Sequence, residues 1–265
     1  MNFKKRLLLL LISFSIIIPF NVLAYSKYLI PGGENIGITI KSKGVFVVGF
    51  YKVDGKSIAE DAGLKVGDRI VSINDEEIDS TVDLVKKINS NEKNISVKIG
   101  YIRKEKTFFS KLNLTKESDG TYKTGIYVKD TITGIGTLTY IDPNSNIYGA
   151  LGHEVIDGNT KINFTLKSGK VFESSITSIT KCVVGSPGEK NASLKQDNVY
   201  GDIKYNLETG IFGKLQKRIS DSALMEVASI DEVELGKAEI ITVLDGDEKE
   251  TFEIEILSID KKNDT

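Results

Sequence analysis

The chain has 265 residues, with 35 Lys or Arg against 37 Asp or Glu and a formal net charge of −2, a length that suits two ordinary domains, each with its own core. The near-neutral balance, with no concentrated basic face, excludes nucleic acid as a partner. One histidine and one cysteine exclude a zinc site built from the usual nitrogen and sulfur ligands, so neither a metal nor an organic cofactor is expected.

Residues 1–24 differ in kind from the rest. Lys4-Lys5-Arg6 precede an apolar run from Leu7 to Phe20, and Val22-Leu23-Ala24 end it with small residues at the spacing of a cleavage site. This is the pattern of a signal peptide, and an uncleaved signal anchor is the alternative. Both readings place the remaining chain across a membrane, secreted or anchored and membrane-proximal. The single Cys182 excludes an internal disulfide framework. Its position in the strand-like run Ser178 to Val184 predicts a small buried hydrophobe.

From Lys27 to Thr115 the chain alternates strand runs with two helical stretches. Strands are predicted over Asn35 to Ile40, Gly44 to Tyr51, Asp68 to Asn74, Asn94 to Ile102 and Lys106 to Leu114, and helices over Ser57 to Ala62 and Ser80 to Asn89. In the second helix Val82, Leu84, Val85 and Ile88 are spaced for one side, and Ser80 or Thr81 is available as the N-cap. The segment AGLKVGDRIVSINDEEI, with Gly63 closing the first helix and Gly67-Asp68 turning into the next strand, resembles a PDZ domain of the bacterial protease-associated type, an α+β fold assigned here to residues 27–115. The resemblance implies a peptide groove between Ile36-Gly37-Ile38 and the second helix. A peptide would add as a strand there, its carboxylate received by backbone N–H groups. A first core strand is the other reading of the same three residues.

From Gly120 onward the chain is nearly all strand and turn. Runs are predicted over Gly134 to Asp142, Ile147 to Leu151, Lys161 to Leu166, Lys170 to Lys181, Asn198 to Tyr205, Ala223 to Ser229 and Lys237 to Leu244. Such short, regularly spaced strands favour a sandwich or barrel. Asp245-Gly246-Asp247 predicts a tight hairpin joining the last run to Glu250 to Ile259, where Phe252, Ile254 and Ile256 alternate with polar residues as on a half-buried strand.

The blocks KDTITGIGTLTYIDPNSNIYGALGHEVID, KSGKVFESSITSITKCVVGSPGEKNAS, TGIFGKL and ELGKAEIITVLDGDEKETFEIEIL resemble the stage IV sporulation protein B family of serine peptidases. The resemblance implies an export segment, a PDZ domain and then, over 120–265, a mainly-β, trypsin-like double-barrel peptidase domain. It makes His153 of the GALGH block the general base. It also implies a protein substrate, the regulatory subunit of a membrane-embedded protease complex, whose cleavage activates a late sigma factor. The setting would be the space between the forespore membranes, and self-cleavage is a further possibility of the family.

The family's nucleophilic serine belongs to a Gly-x-Ser-Gly-Ser-Pro-like segment that the 265 residues do not contain, so the second barrel is expected to be incomplete and the chain truncated. Ser186 in Gly185-Ser186-Pro187-Gly188-Glu189-Lys190 matches a different family stretch. Asp130, Asp142 and Asp157 lie near His153 in sequence, but none is assigned as the acid; Asp157 reads as a turn residue. A Ser-His site needs its nucleophile. The sequence therefore leaves open two functions, a sporulation serine endopeptidase and a non-catalytic exported PDZ peptide-binding module. A general quality-control protease is a weaker third reading, because here the PDZ element precedes the peptidase domain.

Overall fold

The structure, a computed structural model, describes residues 26–90 and 95–259; the export segment expected over 1–24 lies outside the described residues. In chain order the strands are β1 (Tyr28–Pro31), β2 (Asn35–Phe50), β3 (Arg69–Ile73), β4 (Glu76–Glu77), β5 (Ser96–Arg103), β6 (Lys106–Asn113), β7 (Thr115–Lys116) and β8 (Tyr122–Lys123). They continue with β9 (Ile126–Ile141), β10 (Ile147–Ala150), β11 (Leu166–Thr180), β12 (Glu189–Leu207), β13 (Gly210–Leu215), β14 (Met225–Glu226), β15 (Gly236–Val243) and β16 (Lys249–Ile256). Two α-helices are described, α1 (Ile58–Asp61) and α2 (Thr81–Asn89). No helix among the described residues is long and apolar enough to cross a membrane.

Two cores organise these elements. The first is the PDZ core, where Val45 and Val47 of β2 pack with Ile70, Ile73, Val97, Ile99 and Leu112, under Leu84 and Ile88 of α2. The helix starts where Ser80, in extended conformation, accepts a hydrogen bond from Asp83 N at 3.1 Å, as its sequence predicts. The second core fills a closed antiparallel barrel. Its six strands run β9-β10-β13-β12-β11-β2, and β2 pairs back onto β9 to close the ring. Ile36, Ile38, Ile40, Leu138, Tyr148 and Ile211 point into it. Closure leaves the barrel no free sheet edge.

Strands β2 and β9 each belong to both cores. The two strands expected over Asn35 to Ile40 and Gly44 to Tyr51 are one continuous element, because β9 pairs with the same edge on both sides of an irregularity between Lys41 and Phe46. Consequently the two cores share strands. Ile36, Ile38 and Ile40 pack in the barrel, and Ile126, with Val128 against it, packs in the PDZ core.

This arrangement corrects the peptide groove expected at Ile36-Gly37-Ile38. One edge of the segment pairs with Gly136, Ile135 and Gly134 of β9, and the other with Glu173, Phe172 and Val171 of β11. Ile36 and Ile38 are buried in the barrel. No backbone edge is left there for an added strand.

Three further expectations change. Lys161 to Thr165 is a loop with a single bridge between Ile156 and Asn163, because a turn at Asp157 takes up its backbone, and Leu166 already begins β11. Cys182 is an exposed free thiol, since β11 ends at Thr180 and the chain turns through Val183 to Ser186 at the tip of the β11–β12 hairpin. The β15–β16 hairpin forms with Gly246 at positive φ in its turn, but it stands as a two-stranded sheet on which Ile240 and Ile254 are exposed. It touches the β11–β12 arm through reciprocal backbone bonds between Ile176 and Gly246.

Candidate functional site

His153 follows β10 at the barrel rim. The chain leaves the barrel at Ala150, 2 % exposed, and turns through Leu151 and Gly152, at φ 76° and 75°. A left-handed conformation suits Gly152 and is strained for Leu151. Leu151 is held there by packing over Gly136 of β9, where an added Cβ would lie 2.2 Å from Leu151 Cδ2. The absent side chain at Gly136 is what lets the loop settle on the strand.

The loop beyond His153 is fixed at two points. Asn206 of β12 accepts from Val155 N at 2.8 Å and donates to Val155 O at 3.0 Å. Asp157, 2 % exposed, accepts from Thr160 N at 3.0 Å and Thr160 Oγ1 at 2.8 Å through one oxygen, and from Lys129 Nζ at 2.6 Å through the other. Burial works to raise the Asp157 pKa, but the Lys129 ammonium and the Thr160 donors outweigh it and hold the carboxyl at about 2. The acid is therefore ionised at any physiological pH.

The imidazole itself is exposed, with Nδ1 2.8 Å from Glu154 O. A carbonyl oxygen can only accept, so Nδ1 carries the proton and, in the neutral ring, Nε2 is the basic nitrogen. Nε2 is then the atom free to take a proton. The ring borders a cavity of about 510 Å³, walled by Ile38, Lys129, Ile132, Leu151 and Asp157 among others. A second cavity of about 260 Å³ also has His153 in its wall, together with Lys190. Among the described residues, neither cavity has a serine in its wall.

The three nearby carboxylates are each engaged elsewhere. Asp130 accepts from Thr81 N at 2.7 Å, at the start of α2. Asp142 accepts from Asn144 N at 2.8 Å and from Ser26 Oγ at 2.8 Å. Asp157 closes its turn, as its place in Asp157-Gly158-Asn159-Thr160 suggests. Ser186 turns the hairpin tip, away from both cavities at His153. No group of three His, Cys, Asp or Glu among the described residues could hold a metal ion.

Sequence reasoning singles out His153 but misses Lys129, Asn206 and Lys190, which reach its loop or cleft from distant strands. Nor does it find the strand beside α2. That place belongs to β9, where Ile126 to Lys129 pair with Phe50 to Phe46 of β2 and Asp130 reaches Thr81. Across from it, Val82 and Val85 are exposed on the helix.

A PDZ fold shares two strands with a closed β-barrel that carries the single histidine of the chain at its rim, an architecture consistent with a PDZ-linked, β-rich peptidase. The description SpoIVB peptidase S55 matches residues 120–265, and a PDZ domain matches residues 49–99. The chain belongs to the SpoIVB peptidase S55 family of sporulation serine peptidases. Among solved structures, the crystal structure of the PDZ domain of the SdrC-like protein from Listeria monocytogenes is similar over 34 % of this chain and 90 % of that chain, at 24 % identity and a TM-score of 0.29. No curated protein matches the chain.

Proposed function

We propose that this chain is an exported sporulation serine endopeptidase in which His153 is the general base. Its substrate is the regulatory subunit of a membrane-embedded protease complex, and the cleavage activates a late sigma factor. The site of action is the space between the forespore membranes, on the far side of the membrane crossed by the export segment.

The observation that carries this reading is the 2.8 Å contact of His153 Nδ1 with Glu154 O, since a carbonyl accepts from an N–H at Nδ1 and so makes Nε2 the basic atom beside a cleft. In serine peptidase chemistry that nitrogen takes the hydroxyl proton as the serine attacks the carbonyl. It then gives the proton to the leaving amine. The reading commits to His153 for this role and to no particular serine or acid. The PDZ part supplies peptide binding, for which the edge of β9 at Ile126 to Asp130 beside α2 replaces the edge expected at Ile36 to Ile38.

A second reading, a non-catalytic PDZ module, is favoured by one observation: the cavities at His153 have no serine wall among the described residues. One experiment separates the two. Sporulating cells carrying the native chain or His153→Ala are followed by immunoblot of the regulatory subunit and by spore count. Loss of regulator cleavage and of spores with His153→Ala supports the endopeptidase. Unchanged cleavage with His153→Ala would sink the catalytic reading.

A further inference from the structure

Lys190 is a charged group that the His153 chemistry does not use. It is the second residue of β12, opposite Ile179 at the end of the PGEK stretch, and it lines the 260 Å³ cavity whose wall also holds His153, Leu151, Ile135, Gly136, Asn35 and Thr137. Two oxygens hold its ammonium, Thr242 Oγ1 at 2.8 Å and Val243 O at 2.7 Å. Both are neutral. Among the described residues Lys190 forms no ion pair, and burial alone pushes its pKa down, with no carboxylate acting to raise it. No wall residue of the cavity is acidic.

An ammonium taken partly out of water without a counter-ion is costly, and a third N–H remains for a partner. The wall beside it combines Ile135, Leu151 and Gly136 with the neutral polar side chains of Asn35 and Thr137, and the open cavity has room for part of an extended peptide. We propose that Lys190 is a specificity-determining residue that binds a carboxylate of the substrate peptide in the cleft next to His153. This inference rests on the endopeptidase reading for the word substrate; the carboxylate site itself does not. The carboxylate comes from an acidic side chain or from a chain terminus, and both present the same two oxygens to the ammonium.

The test is a set of NMR titrations of the full chain, read at the His153 Cε1–H and at the Lys190 side-chain signals. Three probes are used: N-acetyl-glutamate N-methylamide, with only a side-chain carboxylate; N-acetyl-glycine, with only a terminal one; and N-acetyl-glutamine N-methylamide, with none. At least one anionic probe should shift both signals saturably and bind at least ~10-fold more tightly than the neutral probe. Which anion does so identifies the source. Lys190→Gln should weaken that binding at least ~10-fold, and Lys190→Arg should keep most of it.

Because Lys190→Gln also cuts the tie to β15, Thr242→Val is measured beside it. That variant loosens the tie but keeps the charge, and should bind the anion like the native chain. Equal binding of all three probes, no binding of any, or loss with Thr242→Val equal to that with Lys190→Gln would make Lys190 a structural tie only. Anion binding without regulator cleavage would sink the endopeptidase reading and leave the carboxylate site standing. Regulator cleavage in cells with no anion preference would do the reverse.

Discussion

Lys129 Nζ donates to Asp157 Oδ2 at 2.6 Å across the wall of the His153 cleft, joining the strand that edges the PDZ sheet to the loop that carries the histidine. The next residue, Asp130, faces the other way and accepts from Thr81 N of α2. Two neighbouring side chains of β9 thus hold the helix of one core and the functional loop of the other.

The Lys129–Asp157 pair predicts a specific acid sensitivity. The Asp157 pKa is about 2 in the folded chain against an ordinary 3.8. A depressed folded value contributes stability that is fully present above the unfolded pKa and lost as pH falls, here between about pH 4 and pH 2. The size is about 2 kcal/mol. Urea unfolding at pH 6 and pH 3 should show the native chain losing more stability than Asp157→Asn, with the variant already weaker at pH 6. Equal losses in the two proteins would remove the pair from the stability of the loop.

The bond from His153 Nδ1 to Glu154 O predicts one tautomer. With the chain held at a pH where the ring is neutral, its imidazole 15N spectrum should show a protonated Nδ1 and an unprotonated Nε2. A Glu154 substitution leaves that backbone carbonyl in place and should leave the tautomer unchanged. The opposite tautomer would place the basic nitrogen against the chain, and the cleft would then face a donor.

Local patterns in the sequence identify much of this fold. The turn chemistry of AGLKVGDRIVSI, the Ser80 cap, and the Asp-Gly hairpin all appear where the residues alone put them, because each depends on neighbours in sequence. Partner choice between distant strands is not local. Ile36-Gly37-Ile38 and Ile126-Tyr127-Val128 both read as apolar-x-apolar, and nothing within either says which one takes the edge beside α2. Burial of β2 between β9 and β11 decides it. In the same way Lys129 and Lys190 look like ordinary solvent-facing strand lysines until the chain returns to place Asp157 beside one and His153 in the same cavity as the other.

Gly136→Ala should injure the His153 loop more than a surface change would. The new methyl would sit 2.2 Å from Leu151 Cδ2 and 2.8 Å from Ile38 Cδ1, so the Leu151 or the Ile38 side chain must move aside. Overpacking of this kind costs about 1–3 kcal/mol. Ile38 lies in a closed barrel, so the displaceable partner is Leu151, already at positive φ. Chemical denaturation should show the loss, and the His153 Cε1–H signal should move with it. Gly134→Ala is the control, since an added Cβ there meets nothing within 4 Å. Comparable effects of the two substitutions would separate the loop from the packing at Gly136.

The sharing of β9 predicts where the PDZ part can be cut. A fragment spanning residues 43–118 contains the residues 49–99 that match a PDZ domain but lacks Ile126, 6 % exposed in the PDZ core, and the strand that pairs with Phe46 to Phe50. A fragment spanning 43–131 restores both, together with the Asp130 cap on α2. Burying Ile126 and Val128 contributes about 1.5–3 kcal/mol for each fully covered side chain, and less for Val128, which is only partly buried. Against the small net stability of a domain this size, that difference decides folding. The shorter fragment should show a broad or absent thermal transition and poor amide dispersion, and the longer one a cooperative melt. Equal cooperativity in both would mean that the PDZ core closes without β9. The strand beside α2 would then be free to leave, and Lys129 would bind Asp157 without any tie to the PDZ fold.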